Sequence, residues 1–428
     1  MTRIARAVGI CLAALTPAAA FAAPTTWIVT TDLWGNPAYS TLIFDDAKPL
    51  TGSLDGDPLT GRRAGREISF IATGSDKTTM VFSGRIDGDR MTGTSDGPDT
   101  NDPKARASHA FTARRQPERP AGPPRRHEFV PTDYSNLFDQ HRTPVLTIWP
   151  GDWVHTKTVD SGGVDEHGKT VALFGNPQTG PFFVAGAEQG DTLAVHIVRL
   201  RLNRDTADSL DGIVGRVLGP GFAAKAADLG RPVRWSLDRV HGTASPAGMP
   251  ALIVPMRPML GGLAVAPGFG SAPISTGDTG RFGGNMDFNE IVEGNIVYLP
   301  VQQPGALLYL GDAHALQGDG ETSQYALETS MDVEFRVELV KGKAFATPRV
   351  ESPTQIMALG QAGSLDEATR SATTGIIQWL GQDYGLTLSQ SAQVLGSAVE
   401  YTIVNLAGRS VGVAAKLDKS VLEPLRRK

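Results

Sequence analysis

The sequence predicts a mainly β protein, with a small β-rich domain, a larger β-rich domain and a short helical stretch near the C-terminus. Three observations carry this expectation. Short β-prone runs alternate with Asp-Gly, Pro-Gly and Gln-Gly turn signals along most of the chain. Glycine and proline number 49 and 29 in 428 residues while aromatic content is only 7%, a balance that suits many turns around modest cores. Helical spacing of apolar residues is found only after Ser364.

The chain opens with Arg3 and Arg6, an apolar stretch from Ala7 to Leu15 and the small-residue pattern Ala20-Phe21-Ala22, which reads as a secretory signal over residues 1–22. The mature protein is therefore expected to be secreted or periplasmic. No later segment approaches the roughly 20 apolar residues that a membrane span needs. Cys11, the sole cysteine, falls inside the signal, so disulfides and cysteine-nucleophile mechanisms are excluded from the mature chain. Removing Arg3 and Arg6 leaves 38 basic against 45 acidic residues, a formal charge of −7, which argues against nucleic acid as a partner.

Residues 23–115 contain β-prone runs at Thr26 to Thr31, Tyr39 to Phe44, Glu67 to Ala72, Met80 to Ile86 and Ala110 to Ala113, as a small antiparallel meander or barrel would. Within it, Leu54-Asp55-Gly56-Asp57 recurs as Ile86-Asp87-Gly88-Asp89, and both copies read as hairpin turns, an account that needs no calcium. Residues 116–126, Q-P-E-R-P-A-G-P-P-R-R, read as a stiff linker. Residues 127–428 form the larger domain. Its strand-like runs are Val145 to Ile148, Phe182 to Ala185, Thr192 to Leu202, Ala251 to Met256, Ile296 to Val301, Ala306 to Leu310 and Val333 to Val340, a pattern expected of two packed sheets in a β-sandwich-like body. Ser364 with Glu367 opens a helix that ends near Gly385, and Thr387 with Gln390 opens a second through about Ala398. Tyr401 to Leu406 and Ser410 to Ala415 read as a hairpin, and the whole tail is expected to act as a cap or an oligomer contact.

The chemistry concentrates in Gly311 to Glu321, G-D-A-H-A-L-Q-G-D-G-E, directly after an apolar run. A turn needs one acidic residue, whereas this segment has three, together with a histidine and a glutamine. Hard oxygen ligands and one imidazole suit a divalent cation. Upstream, Gly283-Gly284-Asn285-Met286-Asp287 presents Asn285 and Asp287 two residues apart, so an extended backbone would point both the same way.

These two segments, with V-L-T-I-W-P-G-D-W-V at 145–154, N-P-Q-T-G-P-F-F-V-A-G-A-E-Q-G-D-T-L at 176–193 and M-R-P-M-L-G-G-L-A-V-A-P at 256–267, resemble the acetamidase/formamidase family of amide hydrolases. The resemblance runs from about residue 144 to 337 and more loosely to the C-terminus. It implies a β-rich amidase domain, hydrolysis of a short linear amide to the acid and ammonia, and a divalent metal. By position, the family's G-G-N-M-D falls on Gly283 to Asp287 and its G-D-x-H-A-x-Q-G-D-G-E on Gly311 to Glu321. The domain before the linker lies outside the usual family core, and Asp205 to Thr243 departs from the family pattern.

An amide has a poor electrophile and a poor leaving group, so its hydrolysis needs oxygen polarised, water activated and nitrogen protonated. The expected metal ligands are His314, Asp312, Asp287 and Asp319, with zinc first and calcium or manganese as alternatives for one imidazole plus oxygens. Glu321 is the expected proton carrier, and Asn285 or Gln317 the donor to the carbonyl oxygen. Gly408-Arg409-Ser410-Val411-Gly412 matches a nucleophile-elbow pattern, but a β-prone run follows where that motif needs a helix.

His155 and Asp160 follow a matched segment and are expected to line the pocket, whereas His196 reads as a satisfied strand histidine. His109, His127, His141, His167 and His241 read as surface or loop residues. The expected partner is a small amide, with a homo-oligomeric assembly. The rival functions are a non-catalytic protein that uses the same metal site to hold a ligand, and a polymer-binding role for the N-terminal domain.

Overall fold

The computed structural model describes residues 24–45, 48–102 and 104–426. The expected signal over residues 1–22, with Cys11, lies outside the described residues. The chain divides into two compact units. The first comprises Thr41–Arg115 with the chain up to Thr31, and the second comprises Asp32–Ser40 with the chain from Gln116 onward.

The N-terminal unit is built on a closed barrel of eight strands in sequence order, sealed where Thr25–Leu33 pairs antiparallel with Arg106–Arg115. Alternation drives this: in Glu67–Thr73 the side chains of Ile68, Phe70 and Ala72 are buried while Glu67, Ile71 and Thr73 are exposed. Phe70 stacks on Phe82 at 4.8 Å and Phe111 meets Phe82 edge-on at 5.2 Å, filling the interior. Each such ring contributes about 1.5–3 kcal/mol by leaving water. Room for Phe111 comes from the cross-strand pair Gly84 and Gly93, since a Cβ on Gly93 would sit 2.8 Å from the ring.

Strands Leu50–Leu54, Asp57–Ala64 and Arg90–Pro98 were not among the expected runs; Asp57–Ala64 buries only Leu59, so its apolar signal is weak. Both repeats turn as expected, but one residue apart. The first hairpin turns on Asp55-Gly56, with φ of 51° and 91°, and the second on Gly88-Asp89 between the paired Asp87 and Arg90.

In the second unit, regular structure begins earlier than the linker reading allowed. Arg126–Glu128 is an edge strand parallel to Trp153–Thr158, and His127 Nε2 lies 3.0 Å from Asp152 Oδ2 rather than in a free loop. Among the described residues two large sheets form, one of eleven strands and one of nine. Their inner faces share one core, in which Phe182 of the first meets Phe335 of the second edge-on at 5.4 Å. The nine-stranded sheet contains the long pair Thr192–Leu202 and Met331–Val340, joined from Thr192 with Val340 to Leu202 with Met331.

The eleven-stranded sheet contains Leu308–His314, buried at every position. Met259–Val265 lies along one edge of this strand; Gln178–Val184 and Glu328–Thr329 lie along the other. The strand starts later than expected because Ala306 and Leu307 adopt φ of 55° and 57°, and it continues through His314, so Asp312 and His314 stand on a strand and not in a turn. Ala251 to Met256 is not a strand beyond Val254–Pro255, where Pro250 and Pro255 limit pairing.

Helix Leu365–Trp379 starts where Ser364 Oγ accepts Glu367 N, and it buries Ala368, Ala372, Gly375, Ile376 and Trp379. It ends through a wide turn at Leu380–Tyr384 into Gly385, whose φ of 65° stops it. Helix Leu388–Ala398 carries the complete Thr387 and Gln390 capping box. The hairpin Glu400–Asn405 with Val411–Asp418 then extends the nine-stranded sheet. Among the described residues no helix is long and apolar enough to cross a membrane.

Candidate functional site

Strand alternation places Asp312 and His314 on one side of Leu308–His314, and the register sets Glu328 directly opposite His314 on the neighbouring strand. Asp287 follows the short strand Gly283–Asn285, and Glu321 follows the glycine turn after the site strand. These residues converge. Ligand atoms of Asp287, Asp312 and His314 all lie within 4.8 Å of one another, and so do those of His314, Glu321 and Glu328. His314 Nε2 is 3.4 Å from both Asp312 Oδ1 and Glu328 Oε1. All five side chains are buried, His314 completely.

The backbone is strained where the acids attach. Asp287, Asp312 and Glu321 have φ of 46°, 55° and 45°, and Asn176 beside them has 58°. Left-handed backbone at a non-glycine residue costs on the order of 1 kcal/mol or more, and it persists where surrounding packing imposes it. On the facing strand Gly261 leaves the space the acids occupy, since a Cβ there would lie 2.5 Å from Asp287 Oδ1 and 2.6 Å from Asp312 Oδ2.

A shell of amides holds the acids. Gln317 Oε1 sits 2.8 Å from His314 Nδ1, while its Nε2 donates to the backbone carbonyl of Asp287. Asn285 Nδ2 donates to Asp287 Oδ2 at 2.5 Å, and Asn405 Nδ2 donates to the same oxygen. Asn176 Nδ2 reaches Asn285 Oδ1 at 2.6 Å and Asp312 Oδ2 at 3.1 Å. Ala326 N donates to Glu321 Oε1 at 3.2 Å. Behind Glu328, the buried ion pair of Arg204 with Asp160, 2.6 Å, also sends Arg204 Nη2 to the Glu328 carbonyl at 3.1 Å. Among the described residues four buried atoms of the cluster make no hydrogen bond, Asp287 Oδ1, Asp312 Oδ1, His314 Nε2 and Glu328 Oε2, although His314 Nε2 and Asp312 Oδ1 stand at ion-pair distance from each other. A buried polar atom without a hydrogen bond costs about 1–3 kcal/mol, so the gathering of four in one cluster marks it as a candidate ligand site.

The electrostatics agree. Burial, then repulsion from Asp312, pushes the Asp287 carboxyl up to about 8. Burial raises Glu321 well above the carboxylate range, reinforced by Asp287, and burial likewise raises Glu328. Burial alone would pull His314 down, but Glu328 and Asp312 together hold it well above the usual histidine value. Several acids that resist ionisation around one imidazole form an arrangement whose repulsion a bound cation would relieve. One nitrogen and a surplus of carboxylate oxygens fit a divalent metal.

Of the residues expected from the sequence, Asp287, Asp312, His314 and Glu321 come together, with Asn285 and Gln317 touching them. Asp319 does not: it is exposed and accepts Asn289 Nδ2 at 2.8 Å, because the turn after Gln317 directs it outward. Asn285 and Gln317 direct the hydrogen bonds described above to Asp287 and His314. His155 bonds Glu128 on the sheet edge, away from the cluster, and Asp160 acts through Arg204. His196 is partly buried on its strand, where Nε2 lies 3.3 Å from Glu338 Oε2 without making a hydrogen bond, so it is a strand histidine as expected but not a fully satisfied one. Ser410 sits in a bend between two strands, and strand Val411–Asp418 follows it directly where the motif needs a helix.

Glu328, Asn176, Gly261 and Asn405 were not singled out from the sequence. Asn176 and Gly261 lay inside quoted stretches. Glu328 is seven residues past Glu321, and only sheet register reveals it.

A two-sheet β body with a buried cluster of four carboxylates and one imidazole gathered around strand Leu308–His314 defines the class, a β-rich protein with an enclosed acidic site. Residues 272–405 match the model of the Acetamidase/Formamidase family. A crystal structure of the acetamidase of Yersinia enterocolitica is 30% identical, covers 71% of this chain and 94% of its own, and superposes with a TM-score of 0.61. The formamidase of Methylophilus methylotrophus is 25% identical over 285 residues, 51% of this chain and 70% of that one. A Schizosaccharomyces pombe protein named as a formamidase is 42% identical over 60 residues, a stretch spanning only 15% of its length. The chain belongs to the acetamidase/formamidase family.

Proposed function

We propose that this protein is an exported, metal-dependent amidase that hydrolyses a short linear amide, of the formamide or acetamide kind, to the carboxylic acid and ammonia. The observation that carries the reading is the buried convergence of Asp287, Asp312, His314, Glu321 and Glu328, with four of their polar atoms making no hydrogen bond. Family membership, and relatives named as acetamidase and formamidase, support the substrate class.

His314 Nε2, Asp287 and Asp312 would hold the cation, with Glu328 and Glu321 beside His314 in the same cluster; zinc is the first choice and calcium the alternative. When bound, such an ion supplies Lewis-acid polarisation of a carbonyl and a lowered pKa for water. Glu321 carries the proton: its carboxyl is buried beside the cluster, held by Ala326 N, and its raised affinity for a proton suits accepting one from water and returning it to departing ammonia. Gln317 fixes the His314 ring by engaging Nδ1, which presents Nε2 to the cluster. Asn285 holds Asp287 rather than reaching for the carbonyl oxygen.

Export rests on residues 1–22, and a homo-oligomer is the proposed assembly; cell fractionation and light scattering test these. The activity is tested by ammonia release from formamide and acetamide with the purified protein. Release that stops with a chelator and returns with Zn²⁺ is expected. A ligand held intact over hours with no ammonia would overturn the enzyme in favour of a binding protein.

A further inference from the structure

The geometry points to Asn405, in the C-terminal hairpin, as a positioning residue that fixes which oxygen of Asp287 faces the cluster. This rests on the cation-site reading above and extends it to a segment the sequence suggested was a cap or an oligomer contact. Asp287 Oδ2 accepts two side-chain amides, from Asn285 and Asn405, which leaves Oδ1 bare toward Asp312 and His314. A carboxylate held by one amide can still swing about its Cβ–Cγ bond. Two amides on the same oxygen remove that freedom and select one face.

Asn405 is itself aimed and braced. The pairing of Glu400–Asn405 with Val411–Asp418 slips between Ile403 and Asn405, a bulge of the kind that redirects a side chain out of strand alternation. Asn405 Oδ1 accepts Gly408 N at 2.8 Å, so the amide cannot flip without losing that bond. The following loop is clasped by Arg216, which donates to the carbonyls of Leu406 at 2.9 Å and Gly408 at 2.6 Å. Leu406 N donates to Gly320 O at 2.9 Å, one residue before Glu321. The hairpin tip thus reaches Asp287 with a side chain and the Glu321 turn with its backbone, tying together two acids that are 34 residues apart (321 − 287).

The test is Zn²⁺ affinity of the metal-stripped full-length protein, measured by competition with a chromophoric chelator, beside kcat and KM for formamide. Asn405→Leu keeps the volume and deletes the donor, and Asn405→Ala deletes both. Each is expected to bind Zn²⁺ at least tenfold more weakly, with a fall in kcat of at least tenfold and KM within about threefold. Leu406→Ala loosens the same loop through packing alone and should lower Tm with Zn²⁺ affinity within about threefold of wild type. Zn²⁺ affinity unchanged in either folded Asn405 variant, or equally weakened in Leu406→Ala, overturns the assignment. If neither Asn405 variant folds, the residue is a keystone of the fold and the assignment is also overturned. A wild-type chain that takes up no Zn²⁺ sinks the metal reading as well, whereas the preceding outcomes sink this inference alone.

Discussion

Replacing Gly261 with alanine adds one methyl group at the centre of the proposed site and little else. Gly261 lies within strand Met259–Val265 and is not among the positive-φ glycines, so alanine suits its backbone and the perturbation is steric. The new Cβ would stand 2.5 Å from Asp287 Oδ1 and 2.6 Å from Asp312 Oδ2, where ordinary contact begins at 3.4 Å, so the two carboxylates must retreat by 0.9 and 0.8 Å. Metal–ligand distances tolerate about 0.2 Å, so the displacement is several times what coordination allows. Zn²⁺ affinity should fall at least tenfold and kcat/KM on the order of 100-fold, as for a misplacement of about 1 Å. Overpacking should cost about 1–3 kcal/mol, a shift of a few degrees in Tm. Chelator competition, ammonia release and a thermal melt read the three quantities. A folded Gly261→Ala protein with wild-type Zn²⁺ affinity and turnover would refute the claim that Asp287 and Asp312 act at the cation.

Glu321→Gln should abolish ammonia release while elemental analysis finds the metal retained; undiminished turnover would move the proton-carrying role elsewhere. Asp319→Asn should leave kcat/KM within about twofold and stability within about 0.5 kcal/mol, as expected for an exposed side chain outside the cluster; a large loss would restore it as a ligand. The metal-free protein should lose stability as pH rises from about 4 to about 8. Over that range the unfolded chain has released a proton that folded Asp287, raised to about 8, still holds, and the raised Glu321 and Glu328 carboxyls act in the same direction. His314 acts in the same direction, because its raised pKa stabilises the fold below about 6.5 and that contribution is lost as pH rises through the folded value. Melts of chelator-treated protein from pH 5 to 8 check the slope, and saturating Zn²⁺ should flatten it.

The sequence made the site segment legible because its residues sit close together: Asp312, His314, Gln317 and Glu321 fall within ten positions, and Asn285 and Asp287 within three. It hid the partners supplied by pairing. Glu328 meets His314 only through antiparallel register, Gly261 only through the strand on the other edge, and Asn405 only through a bulge. Asp319 misled because composition cannot tell which acids of a glycine turn face inward. The same limit applies to the barrel, where Asp57–Ala64 forms a strand on the strength of its neighbours while burying a single leucine.

The cluster also bears on why this fold accepts its site. Four buried carboxylates around one imidazole cannot all ionise without a counter-charge, and three of them hang from left-handed backbone that costs energy whether or not they ionise. The large shared core of the two sheets supplies the stability that offsets this, and the amides of Gln317, Asn285, Asn176 and Asn405 keep the acids from relaxing apart. A cation would relieve the repulsion in one step. Since only the folded chain assembles these ligands, Zn²⁺ at 100 times its Kd should stabilise the protein by about 2.7 kcal/mol. That gain should be lost in Gly261→Ala at the same Zn²⁺ concentration if the displaced carboxylates are the ones that grip the ion.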